Sequence, residues 1–360
     1  MDVSEFDYDL PSELIAQEPA AAREDARLLC LTRSETTLSH ARVADLPALL
    51  QPGDLLVVND TRVFPARLLG RRIPSGGAVE CLLVSKVESE NDTDSNRHEE
   101  PDGELWEALM HPGQKLKPGA RVIFEGPHTI QGEVLDRRFY GRRLIRLWTS
   151  DGSTVNEAVD SIGHVPLPPY IRRRDRRDDR DRYQTMFADS RGSVAAPTAG
   201  LHFSPRLVEA LRVRSVDLIS ITLHVGYGTF QPIRVDRVEE HRVEQERYEV
   251  SQAARDAINS ALEAGRRVIA VGTTTTRTLE AAAGVDGRVR AGSGTTDLFI
   301  FPGFEFRVIR GLLTNFHLPK SSLLMLVAAF AGRERVLAAY RAAIAEKYRF
   351  YSYGDAMLIL

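Results

Sequence analysis

Cysteine is nearly missing from this 360-residue chain: Cys30 and Cys81 are the only two, each in an apolar run and without Cys-x-x-Cys spacing. That excludes a disulfide-rich scaffold and a cysteine-based metal centre, and two buried thiols are the plain reading. Long apolar runs are missing as well. The longest, Leu323 to Ala331, is far too short to cross a bilayer, and the chain does not begin with a basic stretch followed by an apolar one, so a soluble cytoplasmic protein is expected. No charge of one sign dominates: 47 Lys and Arg against 50 Asp and Glu permit a nucleic-acid partner without advertising one. Three familiar signatures are absent too. No Gly-x-Gly-x-x-Gly follows the first strand, Gly272-Thr-Thr-Thr-Thr-Arg277 lacks the glycine frame and Lys-Ser/Thr ending of a P-loop, and His241-Arg-Val-Glu-Gln-Glu246 lacks the second histidine of His-Glu-x-x-His. A nicotinamide enzyme, a P-loop nucleotidase and a zinc protease each lose their main support.

What is present is enough apolar residue, 43%, for a substantial core, in a length that favours two folding units. Leu55 to Val58 reads as a strand covered on both faces, and Asn59-Asp-Thr-Arg62 follows at its carboxyl edge, where polar groups point into a crevice. From Ala66 to Trp148 the texture changes to short alternating segments separated by Gly, Pro and charged turns, which predicts a small barrel or sandwich. Glu88 to Asp102 interrupts it with carboxylates and no apolar period, as a disordered hairpin extension would. An α/β rhythm then returns, with helices starting at Ser204-Pro205, Ser251, Thr273 and Ser321 and buried strands near Val216 and Val268. The expected fold class is α/β: a larger, barrel-like mixed α/β domain containing both termini (residues 1–65 and 151–360), with a small all-β barrel inserted at residues 66–150.

Three cassettes pair a histidine with Gly or Pro and with hydroxyl residues. They are Gly192 to Phe203, which holds Thr198, Gly200 and His202; Thr222 to Phe230, which holds His224; and Leu313 to Ser322, which holds His317 and Lys320. A lone histidine in small or apolar surroundings is more often a hydrogen-bonded core residue, but three beside strand ends favour convergence on one site where an imidazole handles protons. Zinc binding by the trio is the weaker reading, because no ligand framework surrounds them. Thr273 opens a strand-to-helix junction that offers N–H groups to a carboxylate or phosphate, or whose threonines simply cap the helix. Lys320 pairs with an anionic substrate or a helix-facing carboxylate; Asp297 holds a ribose hydroxyl or amine, or caps the surface. Arg23, Arg27 and the run Arg172 to Arg182 are solvated charges or phosphate ligands, the solvated reading being the ordinary one.

Phe6-Asp-Tyr-Asp-Leu-Pro11, Asp54-Leu-Leu-Val-Val-Asn-Asp-Thr-Arg62, Gly192 to Phe203, Thr222 to Phe230, Thr314 to Lys320 and Lys347 to Met357 together resemble the S-adenosylmethionine:tRNA ribosyltransferase-isomerase family of queuosine biosynthesis, almost end to end. The resemblance implies S-adenosylmethionine as cosubstrate and ribosyl donor, with no catalytic cofactor and no metal. It implies transfer and isomerisation of the ribosyl group onto 7-aminomethyl-7-deazaguanine at the tRNA wobble position, giving epoxyqueuosine-tRNA, adenine and methionine. Within that reaction His202 and His317 are expected to handle protons with His224 in support, and Asn59, Thr61, Arg62, Thr198, Gly200, Thr273, Asp297 and Lys320 to hold S-adenosylmethionine. Arg62, Arg67 and the Arg172 to Arg182 run would contact the tRNA backbone, and Tyr183 or Tyr227 would stack on an anticodon base. Gln245 departs from the family, standing where relatives often carry a second histidine. A monomer is expected. Two other classes stay open: a noncatalytic RNA-binding protein, which leaves the histidine cassettes unexplained, and a sugar-phosphate lyase or isomerase using the same pocket.

Overall fold

A computed structural model describes residues 1–33, 37–87, 103–138, 141–230 and 233–360. The Glu88 to Asp102 segment therefore lies outside the described residues. The chain folds as two units, one of residues 1–62, 168–174 and 181–360, the other of residues 63–167 and 175–180. It begins with β1 (Arg27–Leu31), β2 (Leu38–Arg42), α1 (Leu46–Leu49), β3 (Leu55–Asn59) and β4 (Thr61–Val63). Six strands follow: β5 (Arg67–Ile73), β6 (Ala78–Lys86), β7 (Glu104–His111), β8 (Arg121–Phe124), β9 (Ile130–Arg137) and β10 (Arg142–Thr149). After α2 (Val155–Ile162), α3 (Asp179–Arg182) and β11 (Ser190–Ser193) come α4 (Pro205–Val213), β12 (Asp217–Leu223), β13 (Glu246–Val250) and α5 (Gln252–Glu263). The chain closes with β14 (Val268–Val271), α6 (Thr273–Ala282), β15 (Gly292–Thr296), β16 (Gly311–Asn315), α7 (Ser322–Ala331), α8 (Arg333–Ala345) and β17 (Ala356–Ile359).

In the smaller unit β5 to β10 close into an antiparallel barrel of order β10-β7-β6-β5-β8-β9. The period-2 alternation of the sequence explains it. On β10, Arg143, Ile145 and Leu147 are buried while their neighbours are partly exposed, and β9 buries Ile130, Gly132 and Val134 in the same way. Gly132 leaves room for the opposite strand, since a Cβ there would lie 2.8 Å from Leu147 Cδ2. Buried Arg143 is satisfied by main-chain carbonyls, with Nε donating to Leu116 O at 3.0 Å and NH2 to Gly113 O at 2.7 Å.

The larger unit carries a nine-stranded mixed sheet of order β15-β13-β12-β3-β14-β16-β17-β1-β2. Its centre, β12-β3-β14-β16, is parallel. β3, β14 and β16 are buried at every position, as parallel strands covered on both faces require. This mixed α/β architecture with a closed barrel is the fold class the sequence indicates. Helix starts follow their signals: Ser204, Ser251 and Ser321 accept from Leu207 N, Ala254 N and Leu324 N at 3.2, 3.1 and 3.2 Å.

α6 is the exception. No side chain caps it; Gly272 holds φ 96° at the N-cap, a conformation that favours glycine. Thr275, Thr276 and Thr278 turn their hydroxyls back onto Val271 O, Gly272 O and Thr274 O at 2.8, 3.1 and 3.1 Å. A helical threonine reaches the carbonyl four residues back, so these hydroxyls stay within the helix and leave its first N–H groups open. Further along, buried Glu280 accepts from Arg307 N at 2.8 Å and from Val308 N and Ile309 N at 3.1 Å each. Among the described residues no helix is long and apolar enough to cross a membrane. Glu280→Gln replaces an acceptor by a donor that faces N–H groups, and should cost about 2 kcal/mol of stability; urea unfolding with an unchanged midpoint would remove this carboxylate from the fold's supports.

Candidate active site

β12, β3, β14 and β16 run the same way and end at Leu223, Asn59, Val271 and Asn315. Crevices beyond the carboxyl ends of parallel strands are the usual ligand sites of α/β sheets. A cleft opens beside these ends, lined by residues of the larger unit alone, among them Thr198, Thr273, His317 and Tyr351. None of its lining residues is Asp, Glu, Lys or Arg.

His317 is the one histidine of the three cassettes that lines it. Its Nε2 lies 2.7 Å from Thr314 Oγ1, its main-chain N–H donates to Tyr340 Oη at 2.9 Å, and its carbonyl accepts from Tyr8 Oη. Burial pushes its pKa down to about 3, so the ring is neutral at physiological pH. His202 sits behind the wall: its Nε2 is 3.3 Å from Asn315 Nδ2, which also donates to Tyr351 O at 3.0 Å. Burial, and then the charge of Arg349, lowers its pKa to about 4. His224 is half-buried, with Nδ1 2.9 Å from Thr61 Oγ1. Thr61 Oγ1 is in turn 2.7 Å from Ser193 Oγ, which accepts from Val225 N at 2.7 Å. Gly192 is required there, because a Cβ would fall 2.5 Å from His224 Nδ1.

Of the other expected site residues, Thr198 and Thr273 line the cleft. Asn59 is buried and uses both ends of its carboxamide internally: Oδ1 accepts from Thr61 N and Leu223 N at 3.0 and 3.1 Å, and Nδ2 donates to Leu223 O and Thr274 Oγ1 at 2.9 and 3.4 Å. Gly200 is buried against Thr185, where a Cβ would come 2.9 Å from Cγ2. Arg62 and Asp297 are exposed and outside the lining, and Lys320 pairs with Asp7 at 2.6 Å on the surface. Arg67, in the barrel unit, pairs with Glu80 at 3.1 Å. Tyr183 is fully buried, edge-on to Tyr353 at 5.9 Å, so its ring faces the core instead of a nucleobase. Glu246 makes a buried ion pair with Arg277 and accepts from Gly226 N at 2.8 Å, and Gln245 beside it is exposed. Among the described residues no three His, Cys, Asp or Glu side chains gather as a metal group.

Sequence reasoning passed over Asn315, Tyr170 and Tyr351, which also line the cleft. Asn315 stood inside a cassette read for its histidine, and the two tyrosines, with centroids 4.7 Å apart, come from segments far apart in the chain. The assembled site has an uncharged lining, a helix N-terminus for an anion, aromatic faces for a cation, and one neutral imidazole.

A family model described as "Queuosine biosynthesis protein" matches residues 3–359. The chain belongs to the queuosine biosynthesis protein family. Relatives of this family named S-adenosylmethionine:tRNA ribosyltransferase-isomerase, from Heliobacterium modesticaldum and Desulfitobacterium hafniense, are 49% and 47% identical over 100% of both chains. A crystal structure titled S-adenosylmethionine tRNA ribosyltransferase, from Thermotoga maritima, matches with TM-score 0.55 and 37% identity over 99% of this chain and 100% of that one. In this family member the buried histidines impose a pH dependence. Their folded pKa values lie below the ordinary value near 6.5, so the unfolded chain binds more protons once pH falls below about 6.5. Their contribution to stability should therefore be complete above that pH and decline toward about pH 4 for His202 and about pH 3 for His317. Melting curves between pH 7 and pH 4 should fall less steeply for His202→Gln than for the wild type; parallel curves would contradict a neutral, buried His202.

Proposed function

We propose that the chain transfers and isomerises the ribosyl group of S-adenosylmethionine onto 7-aminomethyl-7-deazaguanine at the tRNA wobble position, in the cleft beyond β3, β14 and β16. The observation that carries this reading is full-length membership of the queuosine family together with a cleft holding one neutral imidazole and no charged side chain. S-adenosylmethionine brings a carboxylate, an ammonium, a sulfonium and a flat aromatic base. The open N–H groups at the start of α6 suit the carboxylate. The faces of Tyr170 and Tyr351 suit the sulfonium, and the apolar wall at Ala196, Ala199 and Phe316 suits the adenine.

His317 then takes the proton from the ribose 5' carbon, which the adjacent sulfonium acidifies. Adenine leaves the 1' carbon, the aminomethyl nitrogen bonds there and gives up a proton, and the bond from that carbon to the ring oxygen breaks. The 5' carbanion closes a carbon ring onto the 1' carbon, and the freed oxygen displaces methionine from the 5' carbon to form the epoxide. The low pKa keeps His317 unprotonated but reduces its driving force as a base. The acidity that the sulfonium gives the 5' carbon offsets that loss, and Thr314 Oγ1 fixes the ring that must carry the proton. In this scheme His202 holds Asn315 from behind, and His224 ties Thr61 to the strand end; neither meets substrate directly.

The direct test is incubation with S-adenosylmethionine and tRNA bearing the aminomethyl base, reading adenine and methionine release with the matching rise in tRNA mass. Folded protein that releases neither would overturn the reading. His317→Gln should lower kcat by about 10²- to 10⁴-fold while tRNA binding is retained; undiminished turnover would take His317 out of the chemistry.

A further inference from the structure

A second, shallow pocket adjoins the cleft and shares Ser352 with it. Its lining includes Arg23, Arg182, His202 and Tyr353. The two arginines come from distant parts of the chain and meet here. Arg23 donates from NH1 to Leu201 O at 3.0 Å and from NH2 to Asp181 O at 2.9 Å. Arg182 donates from NH1 to Ala21 O at 3.3 Å and from NH2 to Ala20 O. These carbonyls fix both guanidiniums in place without neutralising them. Burial, and then the charge of Arg182, lowers the pKa of Arg23, which marks two like charges held close. Asp181 attracts Arg23 from an exposed side chain, where water screens it, and His202 on the pocket wall is neutral. Two immobilised guanidiniums on the wall of one pocket, with an exposed carboxylate as their neighbour, offer charge and remaining N–H donors to an oxyanion.

We propose that Arg23 and Arg182 form an oxyanion subsite for one backbone phosphodiester of the tRNA, placed beside the reaction cleft. The inference rests on the ribosyl-transfer reading. A phosphodiester is favoured over the methionyl carboxylate because the ribosyl-transfer reading already gives that carboxylate the uncapped start of α6. A phosphate clamped next to Ser352 would anchor the tRNA backbone beside the cleft and add to tRNA affinity.

The test measures steady-state kinetics of Arg23→Gln and Arg182→Gln against the wild type, whose own turnover checks the underlying reading separately. Each change should raise KM for tRNA by about tenfold, leaving kcat and KM for S-adenosylmethionine within about twofold. Arg182→Lys should recover part of the tRNA KM, because the charge persists; a purely structural tie would gain nothing from it. A rise in KM for S-adenosylmethionine instead, or no change in a folded variant, overturns the assignment. Arginine labelling of the wild type with phenylglyoxal needs no variant: tRNA should protect Arg23 and Arg182 where S-adenosylmethionine does not, and equal labelling with and without tRNA overturns the subsite.

Discussion

The carboxamide of Asn59 is the joint on which the site depends. With four hydrogen bonds it ties the end of β3 to the end of β12 and to Thr274 in the first turn of α6. Parallel strands that stop together leave polar groups with no ladder to join, and buried polar groups need partners. One side chain supplies them at three elements. It thereby fixes where α6 begins and how the cleft floor is shaped. Asn59 has no further hydrogen-bonding capacity for a ligand, so its place in the site is to hold other residues still.

Around that joint the cleft is built without formal charge. Its dipoles and ring faces carry no desolvation penalty of a buried ion. The threonines of α6 contribute by withdrawal: with Thr275, Thr276 and Thr278 bonded back to the helix, the main-chain N–H groups become the donors at its start. Gly272 permits this because a positive φ brings the chain into the helix without a capping side chain.

The sequence made some of this legible and hid the rest for physical reasons. Period-2 alternation between Ala66 and Trp148 is a local property, and it marked the barrel; Ser204, Ser251 and Ser321 announced their helices because capping acts within three residues. His317 was found through its cassette and does line the cleft. His202 looked equivalent in sequence, yet one intervening side chain, Asn315, separates it from the cleft, and that is a matter of packing depth that composition does not encode. The meeting of Arg23 with Arg182 is likewise a product of tertiary folding, and each alone reads as an ordinary solvated charge.

Ser352 stands at the boundary of two cavities of opposite electrical character, one with an uncharged lining and one with two fixed cations. Counterions compete with a phosphate for arginines but have little to compete for among dipoles and ring faces. Under the proposed reading ionic strength would act on the two pockets unequally: rising salt would loosen the polyanion first and leave the small cosubstrate in place, so the salt sensitivity of the two substrates would differ without any moving part.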